Sequence, residues 1–210
     1  MSSILLVTSS PRGAASHSTR VATELAARLR EANPASRLVV RDLAANPLPH
    51  IDPDYSTGIY TPAESRTQRQ ADVVAVSDAV VDELIAADTI ILATGFINFN
   101  ISSTLKSWID HAARAGRSFS YGADGPKGLI TGKKVYIVLA SGGIYSEGAA
   151  VKMDHAVPYL RSVLGFLGMT DVEVIRVEGV GMGEDATIAA LDKATARIEE
   201  LVGEPAAKAA

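Results

Sequence analysis

Five short apolar runs, at residues 4–7, 38–40, 89–93, 135–140 and 172–177, punctuate the chain. The first, third and fourth (for example Ile4-Leu5-Leu6-Val7) are nearly continuous and do not alternate with polar residues. A strand of that kind needs apolar neighbours on both faces, which is the condition of a parallel sheet covered by helices on two sides. Helical patterns fill the intervals. Val21, Leu25 and Leu29 repeat at four-residue spacing until Asn33-Pro34 ends the helix. Val73, Ser77, Val80, Val81 and Leu84 mark a second helix; Leu105, Trp108, Ile109 and Ala112 mark a third, with Gly116 as its C-cap. Pro158 opens a fourth, carrying Leu160, Val163, Leu164 and Leu167, and the last runs from Asp185 to Leu201. Strand and helix alternate throughout. This predicts one doubly wound α/β domain over residues 1–202, with a frayed tail over residues 203–210.

Composition narrows the chemistry. Twenty Lys and Arg against 24 Asp and Glu leave a net charge of −4, no field for a phosphate backbone, so nucleic acid is not an expected partner. There is no cysteine, which removes disulfides, thiolate nucleophiles, iron–sulfur clusters and Cys-ligated zinc. His17, His50, His111 and His155 are scattered without ligand spacing, so no metal site is expected and any redox chemistry needs an organic cofactor. No apolar stretch approaches the roughly 20 residues of a spanning helix. The start, Met1-Ser2-Ser3 followed by a short apolar run, lacks the basic region of a signal peptide. A cytoplasmic protein without a membrane partner is the expectation.

Ligands of open parallel sheets bind outside the carboxyl ends of the strands, near the topological switch point. After strand one, Ser10, Ser16 and Ser18 open a helix together with its free N–H groups. They form either an anion cradle or a plain serine N-cap. The loop is neither a P-loop nor a GxGxxG turn, so a single phosphate held by neutral donors fits it better than a triphosphate or dinucleotide. His17 reads as a solvent-facing filler and not as a base. After strand three, Phe96-Ile97-Asn98-Phe99 offers flat apolar groups beside an amide, suited to a planar heterocycle or to the core; Asn100 or Ser102 caps the next helix. After strand four, Ala140-Ser141-Gly142-Gly143 either lets a ring approach the backbone or makes a simple turn. Two connections, residues 43–65 and 117–133, exceed the length of plain βα loops and predict lids, a subunit interface or both.

The aromatics sharpen these choices. They make up only 5% of the chain, yet Phe96, Phe99, Trp108, Phe119, Tyr121, Tyr145, Tyr159 and Phe166 fall in one stretch. That distribution predicts a stacking site at one end of the sheet. A phosphate cradle after strand one and a flat-ring site after strands three and four together describe flavin mononucleotide (FMN). They fit a flavodoxin-like five-stranded parallel sheet of order 2-1-3-4-5, whose flavin sits at the switch point.

Several segments then carry a resemblance over nearly the whole chain: Arg41-Asp42-Leu43-Ala44-Ala45-Asn46-Pro47, Asn98-Phe99-Asn100-Ile101-Ser102, Ala113-Arg114-Ala115-Gly116, Gly128-Leu129 with Thr131-Gly132-Lys133-Lys134, and Gly142-Gly143-Ile144. Through them the chain resembles the FMN-dependent NADH-azoreductases, which are also NAD(P)H:quinone oxidoreductases. The resemblance implies that Ser10 and Ser16-His17-Ser18 hold the FMN phosphate. It implies that Phe96, Ile97, Asn98 and Phe99 line the isoalloxazine, and that Ala140, Ser141, Gly142 and Gly143 hold its pyrimidine edge. Tyr121 and Phe166 would wall the substrate pocket, partly across a homodimer interface; Phe119 and Tyr145 are our additions to that wall. Departures surround the ring and not the phosphate: Gly95-Phe96-Ile97 stands where Pro-Met-Tyr is common, Ala140-Ser141 where Ser-Arg is frequent, and Tyr145 where His is frequent.

The expected activity is two-electron transfer from NADH or NADPH to quinones and aromatic azo compounds by a ping-pong mechanism. One aromatic slot serves donor and acceptor in turn, and no side chain is assigned as catalytic. Two other readings are a flavodoxin-like electron carrier for protein partners, for which the net charge is weak, and a non-enzymatic nucleotide-sensing module.

Overall fold

The computed structural model describes residues 2–203. In chain order the elements are β1 (Ser3–Thr8), α1 (His17–Ala32), β2 (Arg37–Asp42), α2 (Pro53–Gly58), α3 (Gln68–Ala86), β3 (Thr89–Gly95), α4 (Ser103–Ala112), β4 (Phe119–Gly122), β5 (Gly125–Gly128), β6 (Lys134–Ser141), α5 (Ala156–Leu167), β7 (Asp171–Glu178) and α6 (Glu184–Gly203). The main sheet has the order β2-β1-β3-β6-β7, parallel throughout. With the separate β4–β5 hairpin left out, this is the expected order 2-1-3-4-5.

Successive residues of a strand point to opposite faces, and here each face has its own core. Leu5, Val7, Ile90, Leu92, Val135, Ile137 and Leu139 pack with Val80 and Leu84 of α3, Leu105 and Trp108 of α4, and Leu160 and Leu164 of α5. Ile4, Leu6, Ile91, Ala93, Tyr136 and Val138 pack on the other face with Val21 and Leu25 of α1 and Ala194 and Ile198 of α6. The apolar runs are unbroken because both faces are covered. Each fully buried Leu or Ile contributes about 1.5–3 kcal/mol relative to exposure.

The structure corrects several boundaries. The fourth expected helix, α5, begins at Ala156 and not at Pro158, because Asp154 Oδ1 accepts the N–H groups of Ala156 and Val157 at 2.9 and 3.0 Å. Gly116 does not cap α4. Ala113 does so through its N–H to Ile109 O, while Gly116, at φ +78°, makes the turn into β4 by donating to Phe119 O at 2.7 Å. The last helix includes Gly203, and the rest of the expected tail lies outside the described residues. Both long connections contain regular structure. The first holds α2, started by Pro53 at its first turn and by Asp52 Oδ1 accepting from Tyr55 N–H. The second holds the antiparallel β4–β5 hairpin.

The first connection is pinned from below by a buried polar network. Pro49 O accepts from Ser107 Oγ at 2.7 Å and from His111 Nε2 at 2.9 Å. Ser77 Oγ donates to His111 O at 2.6 Å, and the Tyr55 ring meets His111 edge-on at 5.0 Å. This fixes Ala44 and Pro47, which border the site described next.

Candidate functional site

Strands β1 and β3 are neighbours, but their following chains leave in opposite directions, which opens a crevice at the carboxyl edge of the sheet. The roots of three loops are tied together there. Ser9 donates to Ala93 O through both its N–H and its hydroxyl at 3.0 Å, and Phe96 N–H donates to Ala140 O at 2.8 Å.

At the β1 side, Ser16 stands at the N-cap of α1, yet its side chain does not cap the helix. Its hydroxyl pairs instead with that of the fully buried Ser18 at 3.0 Å. The first-turn N–H groups therefore keep no side-chain acceptor. His17 Nδ1 and Thr19 Oγ1 are buried without a protein partner. Burial, then the charges of Arg12 and Arg20, lower the His17 pKa from its ordinary 6.5, so the ring is neutral at pH 7. Uncapped N–H groups at the positive end of a 16-residue helix, orphaned polar atoms and Arg12 give this end of the cavity the character of an anion site. The plain serine cap is excluded by the missing cap bond. Arg12 lines the cavity beside these neutral donors.

At the β3 side, Ile97 and Asn100 exchange N–H···O bonds of 2.8 and 3.0 Å across a two-residue turn. Asn98 and Phe99 occupy that turn at φ +48° and +68°. Asn tolerates the left-handed region; Phe does so only at about 1–2 kcal/mol. The strain is held by His155 N–H, which donates to Phe99 O at 3.1 Å. Backbone strain sustained by its surroundings is typical of ligand clamps. The Phe96 ring lies 4.3 Å from Tyr145 and 6.3 Å from Phe99, and Tyr145 lies 6.4 Å from Phe99. The three form an aromatic wall. Ser102 Oγ, accepting from Leu105 N–H at 3.2 Å, caps α4; Asn100 Oδ1 accepts from Ile101 N–H.

After β6, the carbonyls of Ser141, Gly142 and Gly143 accept from Val180, Gly181 and Gly179. The loop thus uses its carbonyls for packing and keeps the N–H groups of the two glycines out of these bonds. Gly181 packs close: a Cβ there would meet Gly142 O at 3.1 Å.

Two cavities share Pro11 and Ile97 and so form one crevice. The smaller, about 340 Å³, is lined by Ser10, Arg12, Ser16 and His17 at one end and by Phe96, Ala140, Ser141 and Gly142 at the other. The larger, about 770 Å³, is lined by Asn98, Asn100, Ser102, Lys106, Pro47 and Tyr159, among others. Both lie in the size range of ligand sites. A phosphate end and a planar, aromatic-edged end in one crevice fit FMN.

The structure brings Ser10, Ser16, His17, Phe96, Ile97, Asn98, Ala140, Ser141 and Gly142 to this crevice. Ser18 lies behind Ser16, Gly143 beside the Tyr145 ring, and Phe99 and Tyr145 form the wall. Phe119, Tyr121 and Phe166 do come together, with ring centroids 5.5 and 4.6 Å apart, but elsewhere. Phe166 is in the last turn of α5, and the hairpin bearing Phe119 packs on that helix end, where Ile130 N–H donates to Leu167 O. None of the three lines either cavity: Phe166 lies two turns, roughly 10 Å of helix rise, beyond Tyr159, which borders the larger one. The single stacking site expected from the aromatics is therefore two clusters, and Trp108 belongs to the core. The sequence reading missed Arg12, while Tyr159, one of the clustered aromatics, does border the larger cavity. The Tyr159 pKa is raised by burial and then by Asp110, so it stands there as a protonated phenol.

Comparison with known proteins agrees with this geometry. Residues 2–202 match a family model described as flavodoxin-like fold. The chain is 76% identical over 208 residues to an FMN-dependent NADH:quinone oxidoreductase of Mesorhizobium japonicum, covering 99% of each. It is 58% identical over 201 residues to one of Rhizobium leguminosarum bv. trifolii, covering 96% of this chain and 98% of that protein. Among solved structures, an azoreductase of Bacillus anthracis superposes with a TM-score of 0.89 at 30% identity, covering 96% of this chain and 99% of that one.

Proposed function

The chain belongs to the flavodoxin-like fold family, and on that premise we propose that it is an FMN-dependent oxidoreductase passing two electrons from NADH or NADPH to quinones and aromatic azo compounds. The observation that carries this reading is the joining, in one crevice, of an uncapped helix N-terminus to an aromatic and glycine-lined ring site. Ser10, Ser16, His17, Ser18 and Arg12 would hold the phosphate. Phe96, Ile97, Asn98 and Phe99 would line the isoalloxazine, and Ala140, Ser141, Gly142 and Gly143 its pyrimidine edge. Bound FMN supplies the two-electron chemistry; the protein supplies binding, orientation and exclusion of water. N–H donors of Gly142 and Gly143 at that edge favour added negative charge.

Nicotinamide donor and aromatic acceptor would use the same wall of Phe96, Phe99 and Tyr145, which makes the kinetics ping-pong. A quinone takes one such round, and an azo bond takes two to separate into amines. Tyr121, 75% exposed, lines neither cavity of its own chain, and neither do Phe119 and Phe166. These residues reach a ring site only from a second copy, as a homodimer would place them. A cytoplasmic location fits the same reading, and among the described residues no helix is long and apolar enough to cross a membrane.

The test is a spectrum. FMN added to the purified protein should be retained through gel filtration and its visible band should bleach on anaerobic NADH addition. Initial rates at varied NADH and quinone should give parallel reciprocal lines. Intersecting lines would remove the shared slot, and failure to retain FMN would remove the whole reading.

A further inference from the structure

Edge strand β7 carries a charged trio outside the crevice. Arg176 Nη2 donates to Asp154 Oδ2 at 2.6 Å, and its Nη1 to Glu178 Oε1 at 3.2 Å. The two carboxylate side chains are only 5% and 10% exposed. Charges that deeply placed must be fully hydrogen-bonded to persist. Their remaining partners lie in the connection between β6 and α5 and in the first turn of α5. Glu178 Oε1 accepts from Tyr145 N–H at 2.9 Å, and Oε2 accepts from Ser146 Oγ at 2.5 Å. Asp154 Oδ1 accepts from the first N–H groups of α5, and the adjacent His155 N–H holds the strained Phe99 carbonyl.

Arg176 therefore clamps both ends of this connection to the sheet. The two ends lead to two walls of the ring site: Tyr145 directly, and Phe99 through His155. A stabilising ion pair needs one carboxylate at Arg176. The second, Glu178, turns its oxygens to the backbone and hydroxyl that set the Tyr145 ring 4.3 Å from Phe96.

We propose that Glu178, held by Arg176, is a positioning residue for acceptor binding, fixing Tyr145 as a wall of the ring site; this rests on the flavoenzyme reading above. It touches neither substrate nor cofactor. A wall contacts bound acceptor and transition state alike, so its loss raises KM and leaves kcat nearly unchanged.

The experiment compares FMN-loaded wild type with Glu178→Ala and Glu178→Gln at saturating NADH and varied 1,4-benzoquinone. Amide hydrogen exchange of the FMN-free proteins is measured alongside. Glu178→Ala should raise the quinone KM about tenfold with kcat within about twofold. It should also speed exchange of peptides containing Tyr145 and Ser146 but not those of residues 10–18. Glu178→Gln keeps an acceptor oxygen for Tyr145 N–H and should bring KM back to within about threefold of wild type. Unchanged KM and exchange in the alanine variant, a fall confined to kcat, or no rescue by glutamine each overturn the proposal. If the alanine variant does not fold, Glu178→Asp carries the test, because it keeps the charge at Arg176 but withdraws the oxygen from Tyr145; a wild-type KM there overturns it. Active wild type with unaffected variants refutes this proposal alone. Wild type that takes up no FMN refutes the flavoenzyme reading and this proposal with it.

Discussion

Gly128, at the end of β5, is where the hairpin meets the body of the protein, and Gly128→Ala tests how that junction is built. A Cβ at this position would fall 2.1 Å from Gly168 N, 2.3 Å from Leu167 C and 2.4 Å from Gly168 Cα. Contact distances near 3.5 Å are needed, so the two backbones must part by more than 1 Å. None of the three atoms belongs to a side chain that can swing away. Overpacking a rigid contact costs about 1–3 kcal/mol or more. The same displacement strains Leu129 N–H to Ser118 O and Ile130 N–H to Leu167 O, both 2.9 Å, worth about 1 kcal/mol each. The total is about 3–5 kcal/mol. At about 2–4 °C per kcal/mol for a chain of this size, Tm should fall by roughly 6–20 °C in a thermal melt followed by circular dichroism. Gly165→Ala, on the exposed face of α5 with nothing within 4 Å of its Cβ, is the control and should stabilise by about 0.5–1 kcal/mol, raising Tm by about 1–4 °C. A Gly128→Ala protein melting within 2 °C of wild type would refute the backbone-on-backbone contact.

Three further outcomes follow from the same structure. Ser16→Ala should weaken FMN binding about tenfold, near 1.4 kcal/mol, in a fluorescence-quenching titration; unaltered affinity takes the Ser16–Ser18 pair out of the phosphate site. Phe99→Gly should leave Tm unchanged or higher, because it relieves about 1–2 kcal/mol of left-handed strain, while the quinone KM rises; a large Tm loss would mean that Phe99 serves the core. Burial lowers the His111 pKa from 6.5, above all other influences on it, so the unfolded chain takes up its proton first as pH falls. Stability from this group is complete above pH 6.5 and declines as pH drops below it toward the lowered native value. Urea midpoints should therefore fall between pH 7 and pH 5, and less steeply in His111→Gln.

The sheet was legible because unbroken apolar runs admit few alternatives: residues packed on both faces leave no polar side to read. The serine-rich start of α1 was legible only as either an anion cradle or a cap, since serines at a helix start have a narrow set of roles, and the missing cap bond speaks against the cap. Boundaries failed where a side chain from outside the periodic pattern took over. Asp154 starts α5 before Pro158, and Ala113 ends α4 before Gly116. Arg12 was not legible as part of the cavity lining, because a cation between Ser10 and Ser16 has no fixed spacing signature. Tyr145 was legible as an aromatic but not as a placed one, because its position is set by Glu178, 33 residues downstream.

The aromatics show why composition can locate a function while misplacing its parts. From Phe96 to Phe166 they are neighbours in sequence, which invites a single site. But α4 and α5 each carry the chain from the carboxyl edge of the sheet back to the amino edge before the next strand begins. Residues at the start of these crossovers, Phe96, Phe99 and Tyr145, stay with the crevice. Those at or beyond their ends, Phe119, Tyr121 and Phe166, are delivered to the opposite edge. Linear proximity across a βαβ unit therefore does not mean a shared site. One group lies around a cavity and the other on the hairpin and the end of α5, so a single pocket made of both would draw on two chains. In the proposed homodimer all six rings would serve one chemistry, and loss of Tyr121 should then weaken acceptor binding without altering retention of FMN.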